Sequence, residues 1–325
     1  MEYIVNLSDG VPNINLLGGK GSNIVNLIKI GVNVPSGFIV NTNSYKRFLK
    51  ESDSSDKLKE IMSRDFISKD IISTSAEIKE LIMGIKIPKE IVDELRVAYD
   101  QICEKTNGDL SFAVRSSATI EDSGKFSFAG QADSFLYNKT FKEILISLKL
   151  CWVSLFSPRA MLYFLQMRKK EIYFSLLDIQ MAVVVQKMVN SEISGVLFTA
   201  NVIDNNEKQM MINSTWGLGE TIANDLVNPD TIIINKNDFK IIRTIIGEKK
   251  RKSIQNPKAS GTIMIDTASA SQFVCSLNEK QLRQIHNLGL KIEHAFQYPQ
   301  DIEWAIEKGI LYTLQSRPIT TLRKN

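Results

Sequence analysis

Arg115 is the residue of this chain whose setting best suits the binding of an anion. The apolar run 110–114 predicts a short strand that ends at Arg115, and small, hydroxylated and glycine residues follow as far as Ser134. Small side chains let backbone N–H groups approach phosphate oxygens, and a guanidinium donates charge-assisted hydrogen bonds to them. The pattern predicts a phosphate site. Taken alone, it also fits an ordinary Ser/Gly loop with a surface arginine.

Two further glycine-containing segments have the same character. Gly18-Gly-Lys-Gly-Ser-Asn23 precedes apolar residues at helical spacing, and Thr215-Trp-Gly-Leu-Gly-Glu220 follows a predicted strand at 210–213. Glycines and a lysine, Lys20, ahead of a helix suit phosphate binding, because the free N–H groups and the dipole at a helix N-terminus attract negative charge. The first segment lacks the full spacing of a P-loop, so by itself it does not define a nucleotide site.

The end of the chain predicts a β-hairpin, with strands at 301–306 and 310–318 and a turn at Lys308-Gly309. If its loop holds three residues, facing residues of the antiparallel pair place polar side chains on one face: Glu303, Thr313, Gln315 and Arg317. A carboxylate and an amide oxygen beside a guanidinium suit a magnesium–polyphosphate complex. An amphipathic hairpin with an ion pair is the alternative, and a two-residue loop would separate Glu303 from Gln315.

In their order along the chain, these segments resemble the N-terminal ATP-binding domain of phosphoenolpyruvate synthases, pyruvate phosphate dikinases and rifampicin phosphotransferases. The matching pieces span nearly the whole chain: Gly18-Gly-Lys-Gly-Ser-Asn23, Val34-Pro-Ser-Gly-Phe38, Ala113-Val-Arg-Ser-Ser-Ala-Thr119, Glu121-Asp122, Ser127-Phe-Ala-Gly-Gln131, Gln186-Lys-Met-Val189, Ser194-Gly-Val-Leu-Phe198, Trp216-Gly-Leu-Gly-Glu220, Asn228-Pro-Asp230, Asp301-Ile-Glu-Trp304 and Leu314-Gln-Ser-Arg-Pro-Ile319. The resemblance implies an α/β (α+β) fold, ATP-grasp-like, in which nucleotide is held between two lobes. Periodicity alone predicts only a mixture of helices and strands.

The resemblance also implies roles for individual residues. Lys20 and Arg115 match the phosphate-binding lysine and arginine of the family, and Arg317 matches the arginine beside the transferred group. Glu303 and Gln315 match ligands of Mg²⁺ and phosphate. Three more positions complete the implied ATP site, namely a glycine of the loop over the phosphates, a position where relatives often have threonine, and a strand residue near the adenine: Gly130, Ser134 and Gln186.

In the family, ATP pyrophosphorylates a histidine on a carrier domain, which passes phosphate to pyruvate, rifampicin or another small acceptor. The two histidines of this chain, His286 and His294, lie in a helical pattern that does not resemble the carrier motif. We therefore expect the carrier and acceptor domains to be absent and the histidine to come from a separate domain or protein. A nucleotide-binding regulatory subunit without turnover and a stand-alone ATP-dependent kinase or ligase are the alternatives.

Composition favours a cytoplasmic protein without nucleic-acid or membrane partners. Charged residues make up 23% and apolar residues 43% of the chain, as in soluble globular proteins, and the net charge of +4 is mild. The three widely spaced cysteines form no C-x-x-C pattern and are expected to be reduced. No apolar run approaches the ~20 residues that a membrane span needs. We interpret the basic run 249–252 as a solvated loop.

The length of 325 residues exceeds one typical core, so two lobes are expected. We place an N-terminal lobe with the phosphate-binding loops at 1–185 and an ATP-grasp-like lobe with the metal-binding hairpin at 186–325. Their boundary falls near 178–190. Thr140 and Asn278 are predicted to begin helices, the former through a capping box with Glu143.

Overall fold

The computed structural model describes residues 2–51, 54–63, 70–105, 110–120, 134–169, 178–320 and 322. The chain divides into two compact units. Unit 1 comprises Met1–Val25 and Ser36–Lys187, and unit 2 comprises Asn26–Pro35 and Met188–Asn325. Both units combine helices with antiparallel sheets, so the expectation of a mixed α/β (α+β) fold is confirmed.

Unit 1 is built on a five-stranded sheet in the order β1-β2-β5-β3-β4, in which every neighbouring pair is antiparallel. Its elements in chain order are β1 (Ile4–Asn6), α1 (Ile14–Lys29, of which the part up to Val25 belongs to this unit), β2 (Gly37–Val40), α2 (Thr42–Leu49), α3 (Ser54–Ser63), α4 (Ile71–Gly84), α5 (Lys89–Glu104), β3 (Phe112–Ala118), β4 (Ser134–Asn138), α6 (Phe141–Ser154), α7 (Pro158–Lys169) and β5 (Met181–Lys187).

The core of unit 1 lies on one face of this sheet. Alternate residues of the strands join the buried apolar cluster, among them Phe38 of β2, Val114 of β3 and Val183 of β5. Helix residues such as Leu148 and Trp152 of α6 complete the cluster. Because the side chains of a strand alternate between faces, the residues between these positions point to the opposite face.

Unit 2 is built on a six-stranded sheet in the order β13-β12-β6-β7-β8-β9, with a separate hairpin of β10 and β11. Its elements are β6 (Ile193–Phe198), β7 (Gln209–Trp216), α8 (Glu220–Ala223), β8 (Asp230–Asn235), β9 (Ile241–Ile245), β10 (Arg251–Gln255), β11 (Thr262–Asp266), α9 (Ser269–Gln272), α10 (Glu279–Phe296), β12 (Gln300–Glu307) and β13 (Ile310–Pro318).

Helix α10 covers one face of the six-stranded sheet. Its residues Leu282, Ile285 and Ile292 belong to the same buried cluster as Leu197 of β6 and Trp304 of β12. The second face of the sheet is therefore not part of this core, and it carries Asp301 and Glu303 of β12.

Both predicted helix starts are confirmed. The Thr140 hydroxyl accepts a hydrogen bond from Glu143 N at 3.2 Å, and the Glu143 carboxylate accepts one from Thr140 N at 2.8 Å. Asn278 and Gln281 form the same reciprocal pair at the start of α10, at 2.9 and 3.0 Å. Each pair satisfies two N–H groups that a helix start leaves without a partner.

Among the described residues, the segment Phe141–Met167 is long and apolar enough to cross a membrane by length and composition. It consists of α6 and α7, and 61% of its apolar window is buried inside the protein. Core residues such as Leu148, Cys151 and Trp152 explain its apolar character. The three cysteines, Cys103, Cys151 and Cys275, are free thiols.

Candidate functional site

Three of the predicted site residues of unit 1 lie on one face of its sheet. Arg115 of β3 pairs with Ser134 of β4 and with Val184 of β5, while Gln186 of β5 pairs with Ala113 of β3. Residues that face each other in an antiparallel pair share a face, and so do residues two apart on one strand. Arg115, Ser134 and Gln186 therefore share a face, and it is the face opposite the core of unit 1.

The residues that surround them on this face are small. Ala113, Ser117, Ala182 and Gly37 occupy neighbouring positions in the same registers. A Cβ added to Gly37 would lie only 2.2 Å from Val185 O, so the close pairing of β2 with β5 requires glycine there. The face combines a guanidinium and an amide with small neighbours, although α1 packs on part of it and Gln186 is only 3% exposed.

Lys20 is held against the same strand. Its side chain is only 4% exposed, and its Nζ donates a hydrogen bond to Ser116 O at 2.7 Å. Ser116 directly follows Arg115, so β3 brings the two cationic residues predicted from sequence into one neighbourhood. A Cβ on Gly21 would lie 3.0 Å from Ile39 Cδ1, which shows that α1 approaches the sheet on the face of Arg115.

The glycine at the start of this segment has a backbone that other residues rarely adopt. Gly18 has φ 69° and ψ 175°, and these values interrupt α1. A Cβ at this position would lie 2.0 Å from Ser117 O. Gly18 is therefore required both for its positive φ and for the close approach of the two backbones.

We predict that Gly18→Ala lowers the free energy of unfolding by about 2 kcal/mol or more, because the new methyl group meets both a strained φ and a carbonyl oxygen. Gly84→Ala is the matched control. Gly84 ends α4 with nothing within 4 Å of an added Cβ, and alanine there should stabilise by about 0.4–1 kcal/mol. Urea denaturation of the two variants measures the difference, and equal effects would contradict the assignment.

Gly217, in the segment 215–220, is also in close contact with the backbone of another strand. Gly217 has φ 76°, and its Cβ would lie 2.4 Å from Ser253 O. The same oxygen accepts a hydrogen bond from Leu218 N at 3.0 Å, and the Ser253 hydroxyl bonds to the carboxylate of Glu220. This segment of unit 2 is thus fixed to β10.

The terminal hairpin forms as predicted, but its loop is shorter than expected. Glu307 pairs with Ile310, so the loop consists of Lys308 and Gly309 alone. Both loop residues have positive φ, 50° and 76°, as a two-residue type I′ turn requires. The prediction of a three-residue loop was wrong. If the pairing continued from this turn without a shift in register, Glu303 would not face Gln315.

A β-bulge restores the pairing. The register shifts between Glu303 and Trp304, so that Trp304 faces Thr313 while Glu303 faces Gln315. Leu314 is the additional residue, and the face of β13 changes at this point. Glu303 and Gln315 are therefore directly opposite each other. The prediction that Thr313 lies on the same face as these residues was wrong. Thr313 is buried opposite Trp304 on the face that packs on α10.

Arg317 lies on the same face and is paired with a carboxylate that the sequence analysis did not single out. Its Nε and Nη2 donate to Asp301 Oδ2 at 2.9 and 2.8 Å. Burial raises the pKa of the Asp301 carboxyl, the Arg317 guanidinium opposes that shift, and Glu303 adds to it. The signal for Asp301 was its position two residues before Glu303 in a strand, which places both carboxylates on one face.

Further polar residues lie on this face beyond Val196, on β7 and β8. Val196 of β6 pairs with Glu303 on one side and with Asn213 on the other, and Asn213 pairs with Thr231. The Asn213 amide donates to the Thr231 hydroxyl at 2.8 Å. The hydroxyl of Thr215, on the same face of β7, is buried without a hydrogen-bond partner. Polar residues of this face thus continue beyond Val196, whereas the neighbouring row from Asp301 continues into Phe198, Met211 and Ile233, which are apolar.

The donor set of the hairpin fits Mg²⁺. Asp301, Glu303 and Gln315 offer only oxygen atoms, and Mg²⁺ is usually held by one or two carboxylates together with phosphate oxygens. Over the described ranges of the chain, no group of three or more His, Cys, Asp and Glu residues could hold a metal by itself. A cation bound at this face would need ligand oxygens in addition to those of the protein.

One predicted site residue, Gly130, lies outside the described residues, as do the matching segments 121–122 and 127–131. The histidines are where the sequence predicted them, on α10: His286 is buried with its Nε2 3.0 Å from Lys236 O, and His294 is exposed in the last turn.

The basic run 249–252 departs from its interpretation as a solvated loop. Lys249 is fully buried, with its Nζ 2.5 Å from Asp230 Oδ1 and 2.8 Å from Gly247 O. The Asp230 Oδ2 accepts from both the N–H and the hydroxyl of Ser276 at 2.8 Å. Lys250, in contrast, is exposed. A buried ammonium group requires such partners, and they cannot be recognised from the basic run because they lie in separate segments.

This arrangement of phosphate- and metal-suited side chains on two antiparallel sheets is that of a nucleotide-binding domain. The family model described as the pyruvate phosphate dikinase AMP/ATP-binding domain matches residues 14–325. The chain belongs to this family, as its resemblance to the phosphoenolpyruvate synthase and rifampicin phosphotransferase domains led us to expect.

Two curated relatives illustrate the similarity. A probable phosphoenolpyruvate synthase from Methanocaldococcus jannaschii is 36% identical over all of this chain, which covers 27% of that protein. A rifampicin phosphotransferase from Bacillus cereus is 37% identical over 94% of this chain and 34% of its own length. The chain thus spans between about a quarter and a third of the length of these relatives. A D-alanine–D-alanine ligase structure from Helicobacter pylori matches 70% of this chain and 47% of its own with a TM-score of 0.30 and 10% identity, which is too low to bear on the fold.

Proposed function

We propose that the chain binds ATP with Mg²⁺ and transfers a phosphoryl or pyrophosphoryl group from it to a histidine of a carrier domain or protein. The observation that carries this proposal is the register of the terminal hairpin, which sets Glu303 opposite Gln315 and Asp301 opposite Arg317 on one polar face. An ATP-grasp-like fold and a cytoplasmic location, with reduced cysteines, accompany the proposal.

Cationic residues of unit 1 neutralise phosphate charge in this proposal. Arg115 lies on β3 and Lys20 of α1 is hydrogen-bonded to the same strand through Ser116 O, and both can donate to phosphate oxygens. Ser134 and Gln186 lie on the face of Arg115, where they can contact the ribose–phosphate chain and the adenine. Gly130, which lies outside the described residues, is proposed to let the backbone approach the phosphates closely, since glycine has no side chain.

Residues of unit 2 serve the metal and the moving group. Glu303 and Gln315 hold Mg²⁺, which when bound neutralises charge on the phosphate oxygens. Arg317 donates to the charge that develops on the transferred group, and Asp301 fixes the orientation of its guanidinium through the bonds to Nε and Nη2. Positioning and charge neutralisation dominate such transfers, so the described residues need not form a covalent intermediate.

The nucleophile and the acceptor are supplied by other domains or proteins in this proposal. The relatives are named for the synthesis of phosphoenolpyruvate and for transfer to rifampicin, and this chain covers 27% and 34% of their lengths. We propose that the carrier histidine passes its phosphate to pyruvate, rifampicin or another small molecule.

We predict that this chain binds ATP–Mg²⁺ with a dissociation constant between micromolar and millimolar, about −8 to −4 kcal/mol. Titration calorimetry on the folded protein measures the affinity. Omitting Mg²⁺ should weaken binding, because Glu303 and Gln315 then face phosphate oxygens without a bridging cation. A folded sample that gives no heat with ATP, ADP or AMP would refute the nucleotide site.

Turnover distinguishes the proposal from its alternatives. Alone, the chain should convert little ATP to AMP. When the remainder of the Methanocaldococcus jannaschii relative is added as a separate protein, label from the β-phosphate of ATP should appear on its histidine. Rapid conversion of ATP to ADP by the chain alone would favour a stand-alone kinase or ligase. Binding without transfer, even to a carrier protein encoded beside this chain, would favour a regulatory module.

A further inference from the structure

We infer that Ser117 is a positioning residue that completes helix α1 across its interruption and thereby fixes Lys20. This inference rests on the proposed function for the role of Lys20, but its structural basis lies in hydrogen bonds of unit 1 alone. Ser117 is fully buried on β3, two residues after Arg115.

The hydroxyl takes the place of a missing helical hydrogen bond. In an unbroken α-helix, the N–H of Gly21 would donate to the carbonyl of Leu17, four residues earlier. The extended ψ of Gly18 interrupts the helix inside this turn. Ser117 Oγ accepts from Gly21 N at 2.9 Å and donates to Leu17 O at 2.8 Å, so one side chain from a strand bridges both ends of the open turn.

A hydroxyl is suited to this position because it donates and accepts at once. Without it, Leu17 O and Gly21 N would lose these partners in a buried place, which is costly for backbone groups. A Cβ on Gly18 would lie 2.3 Å from Ser117 Oγ, so the contact is close and leaves no room for an additional atom at that point.

Lys20 lies in the bridged turn, between Leu17 and Gly21. The backbone on either side of Lys20, at Leu17 and Gly21, is held by the Ser117 hydroxyl, and its Nζ is held by the carbonyl of Ser116, the preceding residue of the same strand. The segment 115–117 of β3 therefore supplies one phosphate-suited cation, Arg115, and fixes both the backbone and the side chain of the other.

The test compares Ser117→Ala with the wild type. Amide hydrogen exchange at Gly21 is measured first, without nucleotide. Ser117→Ala should accelerate it by about tenfold or more, because the amide loses its acceptor. Ser154→Ala is the control: it removes another buried serine hydroxyl of unit 1, which donates to Cys151 O at 2.7 Å, and it should leave Gly21 unchanged.

The second measurement is ATP–Mg²⁺ affinity. Ser117→Ala should weaken it by about tenfold or more, since small misplacements of a binding group have effects of this size. In a Lys20→Met background, Ser117→Ala should change affinity by less than about twofold, because the residue through which it acts is gone. Equal effects of Ser117→Ala with and without Lys20 would overturn the positioning role.

The two measurements separate the inference from the proposed function. If the wild type does not bind ATP, the proposed function fails, while the exchange at Gly21 still decides whether Ser117 bridges α1. If Ser117→Ala does not fold, Ser117→Cys replaces it, because a thiol is a weak donor and acceptor of similar size. Unchanged Gly21 exchange in the substituted protein would overturn the inference.

Discussion

Glu303→Gln is expected to reduce phosphoryl transfer from ATP by roughly two orders of magnitude or more, the effect of losing one preorganised charge contact in a transition state. The substitution keeps the shape of the side chain opposite Gln315 but removes the charge that would hold Mg²⁺. The unfolding midpoint of the free protein should barely change. ATP–Mg²⁺ should no longer raise that midpoint as it does in wild type, because a ligand stabilises only through the affinity that remains.

The matched control is Glu307→Gln. Glu307 lies four residues further along β12 on the same face and faces Ile310 beside the turn. The substitution removes the same charge, but at a position away from Gln315 and Arg317. Phosphoryl transfer and ATP-dependent stabilisation should therefore stay close to wild type. If Glu303→Gln retains near wild-type transfer, the hairpin does not hold the metal, and Lys20 and Arg115 remain as the basis of a phosphate site.

Arg317→Met should lower the transfer rate more than the ATP affinity, because its proposed partner is charge that develops on the moving group. The structure adds a consequence that the hairpin sequence alone did not predict. Asp301, which is largely buried, loses the guanidinium that favours its charged form. Its pKa should rise further, and titration of Asp301 by NMR in both proteins would show this shift.

The largest effect on stability is expected at the buried pair of Asp230 and Lys249. Asp230→Asn leaves the Lys249 ammonium group buried without its carboxylate, and removal of one member of a buried ion pair costs about 3–5 kcal/mol. Combining it with Lys249→Met should recover part of this loss, because no unpaired charge then remains. Denaturant unfolding of the single and double variants measures both effects.

Lys250→Met provides the comparison at the next residue. Lys250 pairs with Glu248 at 3.0 Å, but 67% of its side chain is exposed. Such a surface pair contributes about 0–1 kcal/mol. If Asp230→Asn destabilises no more than Lys250→Met, the burial of Lys249 is not an energetic requirement of unit 2.

The sequence predicts those features that depend on local patterns. The capping boxes at Thr140 and Asn278 and the existence of the terminal hairpin follow from residue types at fixed short spacings, and the structure confirms them. The glycine-rich segment around Lys20 also follows from such a pattern, because a positive φ and a close backbone approach both select glycine. The assignment of site residues stays a prediction.

What the sequence does not predict depends on partners that are distant along the chain. Lys249 looks like a member of a solvated basic run, because its carboxylate partner is supplied by β8 and its environment by a different segment. Ser117 looks like one of many small residues, because its role is defined by Leu17 and Gly21, about a hundred residues earlier. Alternation counted from the two-residue turn places Thr313 opposite Trp304 but separates Gln315 from Glu303, because a bulge leaves no composition signal.

The bulge at Leu314 also has a consequence for how this hairpin can change in length during evolution. Between the turn and Gln315, β13 contains one residue more than an unbroken ladder to Glu303 requires. A deletion within 310–314 can therefore be absorbed by loss of the bulge, with Glu303 and Gln315 still opposite each other. A deletion within 304–307 cannot be absorbed in this way, since it would require a second bulge in β13. Length variation in descendants of this sequence should accordingly be found on the β13 side of the turn.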